Sequence, residues 1–199
     1  MPSWRRRRPG ASSASSCSPR RARGPGRACT GIPPPSRRPC AGRGLDWTIL
    51  RPGGFASNAL AWAEPIRAHR TAAAPFADVA LPVIDPADIA EVASVVLRRD
   101  GHAGRTYVLT GPQPVTPRER AAAIGQAIGA QVRFVEQSRQ EARAQMLGFM
   151  PEQAVEGTLT ILGTPTEEER RVSPDVERLL GRAPRPFATW ATRNLAAFQ

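Results

Sequence analysis

Apolar residues fall into short runs and helix-spaced stripes only beyond about residue 45, and the alternation of the two patterns sets the fold class. Trp47 to Leu50 is an aromatic and β-branched run that reads as a buried strand, stopped abruptly by Arg51-Pro52-Gly53-Gly54. Ala56 to His69 reads as a helix. Val79 to Ile84 is a second apolar run, ended by Asp85-Pro86. Asp85 then suits an N-cap, with Pro86 at the first helical position and Asp88 in the positively polarised first turn. Ile89, Val92, Ala93, Val96 and Leu97 recur at helical spacing behind that cap. Arg98 and Arg99 suit a helix C-terminus, and Gly101 and Gly104 bracket the exit into a strand over Arg105 to Thr110. Strand, helix, strand in that order implies a right-handed parallel crossover.

Thr116 and Glu119 form a capping box with Pro117 between them, and Ala121, Ile124 and Ile128 mark the buried stripe of a helix closed by Gly129. Val132 to Val135 predicts a short strand. Beyond it the pattern is helical: Ser138 to Leu147, Pro151 to Leu162, Pro174 to Leu180 between Ser173 and Gly181, and Pro186 to Phe198. The last carries Phe187, Trp190, Leu195 and Phe198 along one side, and the acidic run Glu167 to Glu169 fits a helix first turn.

Charge changes the picture by dividing the chain. The net charge is +11 over 199 residues, which would ordinarily suggest nucleic acid or an anionic surface as partner. Met1 to Gly44 hold 11 arginines and no acid, whereas Leu45 to Gln199 balance 17 arginines with 17 acids. The first 44 residues also contain all three cysteines and only Ile32 among Leu, Ile, Val and Phe, so they cannot bury enough apolar surface to offset the entropy of ordering. The expectation for 1–44 is therefore a disordered Arg/Pro/Ser-rich segment. A nucleic-acid arm is less favoured, since Trp4 is its one aromatic and no docking motif follows. The composition also fits an out-of-frame reading of GC-rich DNA: another frame of Gly31 to Gly44 can encode an amphipathic helix, the element expected before a strand near Leu45. Cys17, Cys29 and Cys40 match no zinc or redox spacing, and there is no histidine before His69. No apolar run is long enough to span a bilayer, Arg5 to Arg8 are followed by Pro9, Gly10 and serines where a secretory leader needs an apolar stretch, the prolines and glycines disfavour the helix of an organelle transit peptide, and Leu45 to Gln199 lack cysteine; the location expected is cytoplasmic.

Candidate chemistry concentrates at Arg51 to Phe55. A parallel strand delivers its carboxyl end to the crevice where ligands bind, and a Pro-Gly-Gly turn there admits a ligand close to the backbone, although such a turn also serves as a plain strand exit. Asp85 and Asp88 are accounted for by helix capping and form no acid/base pair. His69 and His102, in a helix end and a turn, are expected to be solvent-exposed. Tyr107 is the one tyrosine and the chain has no lysine, so a Tyr-x-x-x-Lys pair is excluded and the catalytic residue is unassigned. No nucleophile elbow, Walker loop or metal-ligand cluster is present in the sequence.

Four segments in order, LDWTILRPGGFASN, LPVIDPADIAEVASVVL, GRTYVLTGPQPVTPRERAAAIGQAIG and RVSPDVERLLGRAPRPFATWATRN, resemble successive landmarks of NmrA-like, atypical short-chain dehydrogenase proteins over nearly all of Leu45 to Gln199. The resemblance implies an α/β fold: the C-terminal half of a Rossmann-type doubly wound parallel sheet with a mostly helical, substrate-side C-terminal portion. On that reading 45–136 is a partial Rossmann-type region and 137–199 the helical portion. It further implies NAD(P)H as cofactor, with Pro52, Gly53, Gly54 and Phe55 beside its nicotinamide end and Asn58 facing the substrate crevice; the alternative for Asn58 is a surface or capping role. The partners implied are a dinucleotide and a small carbonyl or quinone-like substrate, or else redox sensing without turnover. The glycine-rich turn that anchors a pyrophosphate at a helix N-terminus has no counterpart in these 199 residues, so a truncated, inactive and aggregation-prone chain is expected.

Overall fold

The computed structural model describes residues 46–199; the disordered, nucleic-acid-binding and out-of-frame expectations for Met1 to Gly44 lie outside the described residues. Among those described, the strands are β1 (Ile49–Pro52), β2 (Gly54–Phe55), β3 (Thr71–Pro75), β4 (Leu81–Ile84), β5 (Thr106–Leu109), β6 (Pro114–Val115) and β7 (Arg133–Gln137). A 3₁₀ helix over Ala56–Trp62 leads into α1 (Ala63–His69), followed by α2 (Pro86–Arg98), α3 (Pro117–Ile128), α4 (Arg139–Leu147), α5 (Glu152–Gly163), α6 (Glu167–Arg170), α7 (Asp175–Leu180) and α8 (Phe187–Arg193).

The pairings are mostly parallel, as the sequence implies for the α/β class. β1 runs parallel to β5 with Ile49 opposite Thr106 and Pro52 opposite Leu109. β2 runs parallel to β4, Phe55 opposite Ile84, and β6 closes that group antiparallel. β3 and β7 form a further parallel pair, Thr71 opposite Arg133 through Pro75 opposite Gln137. The strand-helix-strand order of residues 79–110 does not produce a direct pair between β4 and β5. The chain instead changes neighbour at Gly53, so the crossovers run from β1 to β5 and from β2 to β4.

Local chemistry explains the helices that the sequence marks. Asp85 caps α2 by accepting from the Ala87 N–H at 2.9 Å. Thr116 and Glu119 make the full capping box of α3, and Gly129 ends it with φ of 68°. Ser138 and Glu141 form the same reciprocal cap on α4, and Thr166 and Glu169 on α6. The single helix expected over Ala56 to His69 is divided. Pro65 has no N–H to return to the carbonyl four residues earlier, so the chain passes from 3₁₀ geometry into a short α-helix there.

β3 is absent from the sequence pattern, because TAAAP holds one β-branched residue and three alanines. Its strand geometry is imposed by the five-residue pairing with β7. The main core joins Trp62, Ile66, Ala72, Ile124, Trp190 and Phe198, packing α3 and α8 against β3 and the 3₁₀ helix. A second cluster, Ile84, Val92, Leu109 and Val176, seats α2 and α7 on β4 and β5. Each fully buried aliphatic or aromatic side chain here contributes about 1.5–3 kcal/mol. The α4–α5 hairpin closes on Ala142, Val155 and Leu159 and is fastened by Phe76, held in the left-handed region at φ 55°.

Candidate functional site

The five residues Arg51 to Phe55 form a corner at which one extended segment exchanges partners. The Gly53 N–H donates to the Leu109 carbonyl at 2.9 Å, completing the β1–β5 ladder. One residue later Gly54 stands beside Val83 on β4. Gly53 is wedged between the two neighbours: a Cβ there would lie 3.1 Å from the Pro82 carbonyl oxygen and 3.7 Å from that of Leu109. Gly111, just after β5, is tighter still, since a Cβ would fall 2.1 Å from the Val83 carbonyl oxygen. These two glycines are packing requirements of β4's backbone.

Gly54 differs. It is exposed, its φ is not positive, and a Cβ there would make only an ordinary 3.6 Å contact with Val83. Phe55 is 40% exposed although it sits in a strand, and Leu60 on the 3₁₀ helix is 43% exposed. Asn58 lies on the exposed side of the same helix, whose N-cap Phe55 uses no side-chain hydrogen bond. Pro52 to Phe55 are thus contiguous at the carboxyl end of β1, and Asn58 follows on the exposed side of the 3₁₀ helix. A surface hollow of about 420 Å³ lies elsewhere, at the C-terminal end of α3 between Ala122, Gly125 and Val132.

The opposite edge of β5 is closed by the protein itself. The Val108 N–H donates to Asp175 at 2.9 Å and the Ser173 N–H to the Thr110 hydroxyl at 2.9 Å. No described strand pairs with the other edge of β1.

Beneath the corner, immediately after Ile84, sits an ionic clasp. Asp85, 2% exposed, accepts with both carboxylate oxygens from one terminal nitrogen of Arg193, at 2.7 and 2.9 Å. Asp88 is fully buried and corrects the capping role expected for it. Its carboxylate accepts from the Arg185 N–H and from Arg182, both at 2.7 Å, and from the Arg185 guanidinium. Glu91, one turn on, receives the same two guanidinium groups at 2.5 and 2.6 Å. Hydrogen bonds from Arg185, and then Arg182, hold the Glu91 carboxyl below its ordinary value, and its neighbours raise both arginines. The signal available in the sequence was spacing, since Asp88 and Val92 are four apart and share the buried stripe.

The two histidines part company. His69 is exposed as expected, whereas His102 is half-buried, with its ring nitrogen 2.8 Å from the Tyr107 hydroxyl and its carbonyl accepting from Thr48. Tyr107 lies at the start of β5, at the end of the strands opposite the corner. It therefore cannot serve chemistry at Gly54. No group of three or more His, Cys, Asp or Glu side chains among the described residues is arranged to hold a metal ion, and no described helix is long and apolar enough to cross a membrane.

Parallel strands linked by helices, with a glycine corner at a carboxyl end, define a Rossmann-type α/β protein. No family model matches the chain. It is 35% identical over 156 residues to the (4-alkanoyl-5-oxo-2,5-dihydrofuran-3-yl)methyl phosphate reductase of Streptomyces griseus, over 78% of this chain and 55% of that protein. It is 34% identical over 157 residues to an NAD(P)H azoreductase of Xenophilus azovorans, again over 78% and 55%. Among solved structures it superposes on an NADPH-dependent quinone oxidoreductase of Escherichia coli with a TM-score of 0.62 at 24% identity, over 75% of this chain and 55% of that one. The triphenylmethane reductase of Citrobacter sp., complexed with NADP(H), gives 0.60 at 21% identity, over 76% and 53%. The chain is thus similar in sequence to NAD(P)H-dependent reductases and shares the Rossmann-type fold of the solved ones over the part that it matches. It spans 55% of the length of the two curated relatives.

Proposed function

We propose that this protein acts as an NAD(P)H-dependent reductase of small carbonyl or quinone-like compounds in a full-length form, and that its corner Pro52, Gly53, Gly54 and Phe55 lines the nicotinamide end of the cofactor. The observation that carries this reading is Gly54. The protein's own packing accounts for Gly53 and Gly111, but nothing in the described structure demands a glycine at 54, which leaves close approach of a ligand as the reason for it. Asn58, exposed one turn beyond, is the substrate-facing polar group. The named activities of the relatives, an azo compound in one and a phosphate-bearing dihydrofuranone in the other, support reduction of a flat, electron-poor substrate.

Within Arg51 to Phe55 and at Asn58 the one ionisable side chain is Arg51; the neighbouring Asp85 carboxylate is buried and committed to Arg193, and Tyr107 is committed to His102. That favours hydride transfer with the proton drawn from solvent, and it equally keeps alive a second reading, a regulator that senses NAD(P)H without turnover. A glycine-rich pyrophosphate loop is absent from the sequence, so the chain alone is expected to hold NADPH weakly. Saturation-transfer NMR with NADPH tests this. Transfer should reach the nicotinamide protons more than the adenine protons and should fall at least five-fold in Gly54→Val. Tight micromolar binding by this chain alone, or identical transfer in the variant, would overturn the assignment.

A further inference from the structure

Four arginines among the described residues are half-buried: Arg120, Arg143, Arg182 and Arg185. Three of them meet carboxylates. Arg143 reaches Glu156 at 2.6 Å and also Glu152, while Arg182 and Arg185 share Asp88 and Glu91. Arg120 meets none. Its guanidinium carbon stands 5.4 Å from the centre of the Trp62 ring, and its Nε is sealed from solvent with no hydrogen-bond partner. Burial alone lowers its pKa to about 10, so the group still carries its charge at neutral pH.

The position is not an accident of a floppy surface side chain. Arg120 directly precedes Ala121 and lies four residues before Ile124, at the edge of the α3 stripe that faces the core. Trp62 is fixed from both sides: its indole N–H donates to the Ala73 carbonyl at 2.8 Å and its ring meets Phe134 edge-on at 6.5 Å. An aromatic face attracts a cation, but it returns only part of what stripping water from a guanidinium costs, and it offers no acceptor to an N–H. A guanidinium held rigidly, with its Nε sealed and unpartnered and no carboxylate beside it, is chemically matched to an oxyanion at its Nη edge.

We propose that Arg120 and Trp62 form a subsite for the oxyanion of a small molecule, a carboxylate or a phosphate. The oxyanion accepts hydrogen bonds from the Nη edge of the Arg120 guanidinium, and the indole face of Trp62 fixes the plane of that edge. The proposal does not depend on a dinucleotide at the corner. Trp62 ends the 3₁₀ helix that starts at Ala56 beside Phe55 and carries Asn58, so an anionic ligand here would share an element with that corner.

The test uses the full chain with two probes, inorganic phosphate and acetate, each exchanged for chloride at constant ionic strength. One probe should raise the melting temperature of the wild-type protein saturably, and which one does so tells phosphate from carboxylate recognition. In Arg120→Leu the affinity for that probe should fall ten-fold or more while the melting temperature in chloride stays level or rises, because an uncompensated charge has gone. Arg120→Lys, which keeps the charge without the fork, should lie between. If neither anion stabilises the wild-type protein, or if Arg120→Leu binds the probe as well as wild type does, the proposal is wrong. It is equally wrong if Arg120→Leu and Arg120→Lys both lower the melting temperature in chloride with no saturable anion effect in wild type, because the contact with Trp62 is then packing. Should Arg120→Leu fail to fold, the wild-type and Arg120→Lys titrations decide.

Discussion

The clasp at the start of α2 and the shelf made by Trp62 and Arg120 take charge out of water in the same molecule and treat it in opposite ways. In the clasp, two buried carboxylates and Glu91 meet three guanidinium groups that arrive from beyond residue 180, nearly a hundred residues later in the chain. On the shelf one guanidinium meets an aromatic face and no acid. A buried ion pair gains little over an apolar replacement, but breaking one leaves an uncompensated charge. The clasp therefore reads as a structural fastening between α2 and the C-terminal segment, and the shelf as a surface whose charge a ligand's oxyanion would balance.

The largest effect should come from breaking the closed side. Asp88→Ala removes the acceptor of Arg182 and of both the backbone and side chain of Arg185. We expect a loss of about 3 kcal/mol of unfolding free energy, read by urea denaturation. If Asp88→Ala cost no more than a surface substitution, the contrast with Arg120 would collapse. Next in size is Gly111→Ala, whose Cβ would fall 2.1 Å from a backbone oxygen that cannot turn aside. Backbone displacement there should cost about 2 kcal/mol.

Much of this architecture can be read from sequence where one residue's chemistry acts on its near neighbours. The caps at Asp85, Thr116 and Ser138, the breaks at Gly129 and Gly181, and the strands that lead up to Gly53 and to Gly111 are all decided within a few positions, whereas the short strand Gly54–Phe55 is not. What escapes is decided at a distance. TAAAP becomes a strand only because β7 pairs with it, and Asp88 looks like a first-turn acid until Arg182 and Arg185 arrive. At the candidate site, the location of Pro52 to Phe55 at a strand end is legible, but the exchange of neighbours that explains Gly53 is not. Arg120 is invisible for the same reason: an arginine at the margin of a helix stripe looks solvated until Trp62 is known to lie over it.

Acid should loosen the closed side in a defined direction. The Glu91 carboxyl is depressed by Arg185 and Arg182, so its contribution is fully present above its ordinary value of 4.5 and is lost as pH falls through the depressed value in the folded protein. Glu156, held down by Arg143 and Arg139, behaves likewise on the α4–α5 hairpin. Thermal melts between pH 7 and 2 should fall less steeply in Glu91→Gln than in wild type. Equal slopes would mean that Glu91 adds nothing to the clasp beyond Asp88.

The smallest expected effect on stability is at Gly54, and its smallness is informative. Alanine there meets only Val83 at an ordinary 3.6 Å and needs no disfavoured φ, so Gly54→Ala should alter the unfolding free energy by less than about 0.5 kcal/mol. Loss of glycine's freedom in the unfolded chain would push any change toward stabilisation. At Gly53 the neighbouring Pro82 carbonyl at 3.1 Å must give way, so Gly53→Ala should cost about 1 kcal/mol. Two adjacent glycines would then separate cleanly, one held by the protein's packing and the other available to a ligand. A Gly54→Ala protein that melts like wild type but loses NADPH saturation transfer would place Gly54 with Arg120 on the open side of the comparison; a cost equal to that of Gly53→Ala would move it to the closed side and remove the main support for cofactor contact at the corner.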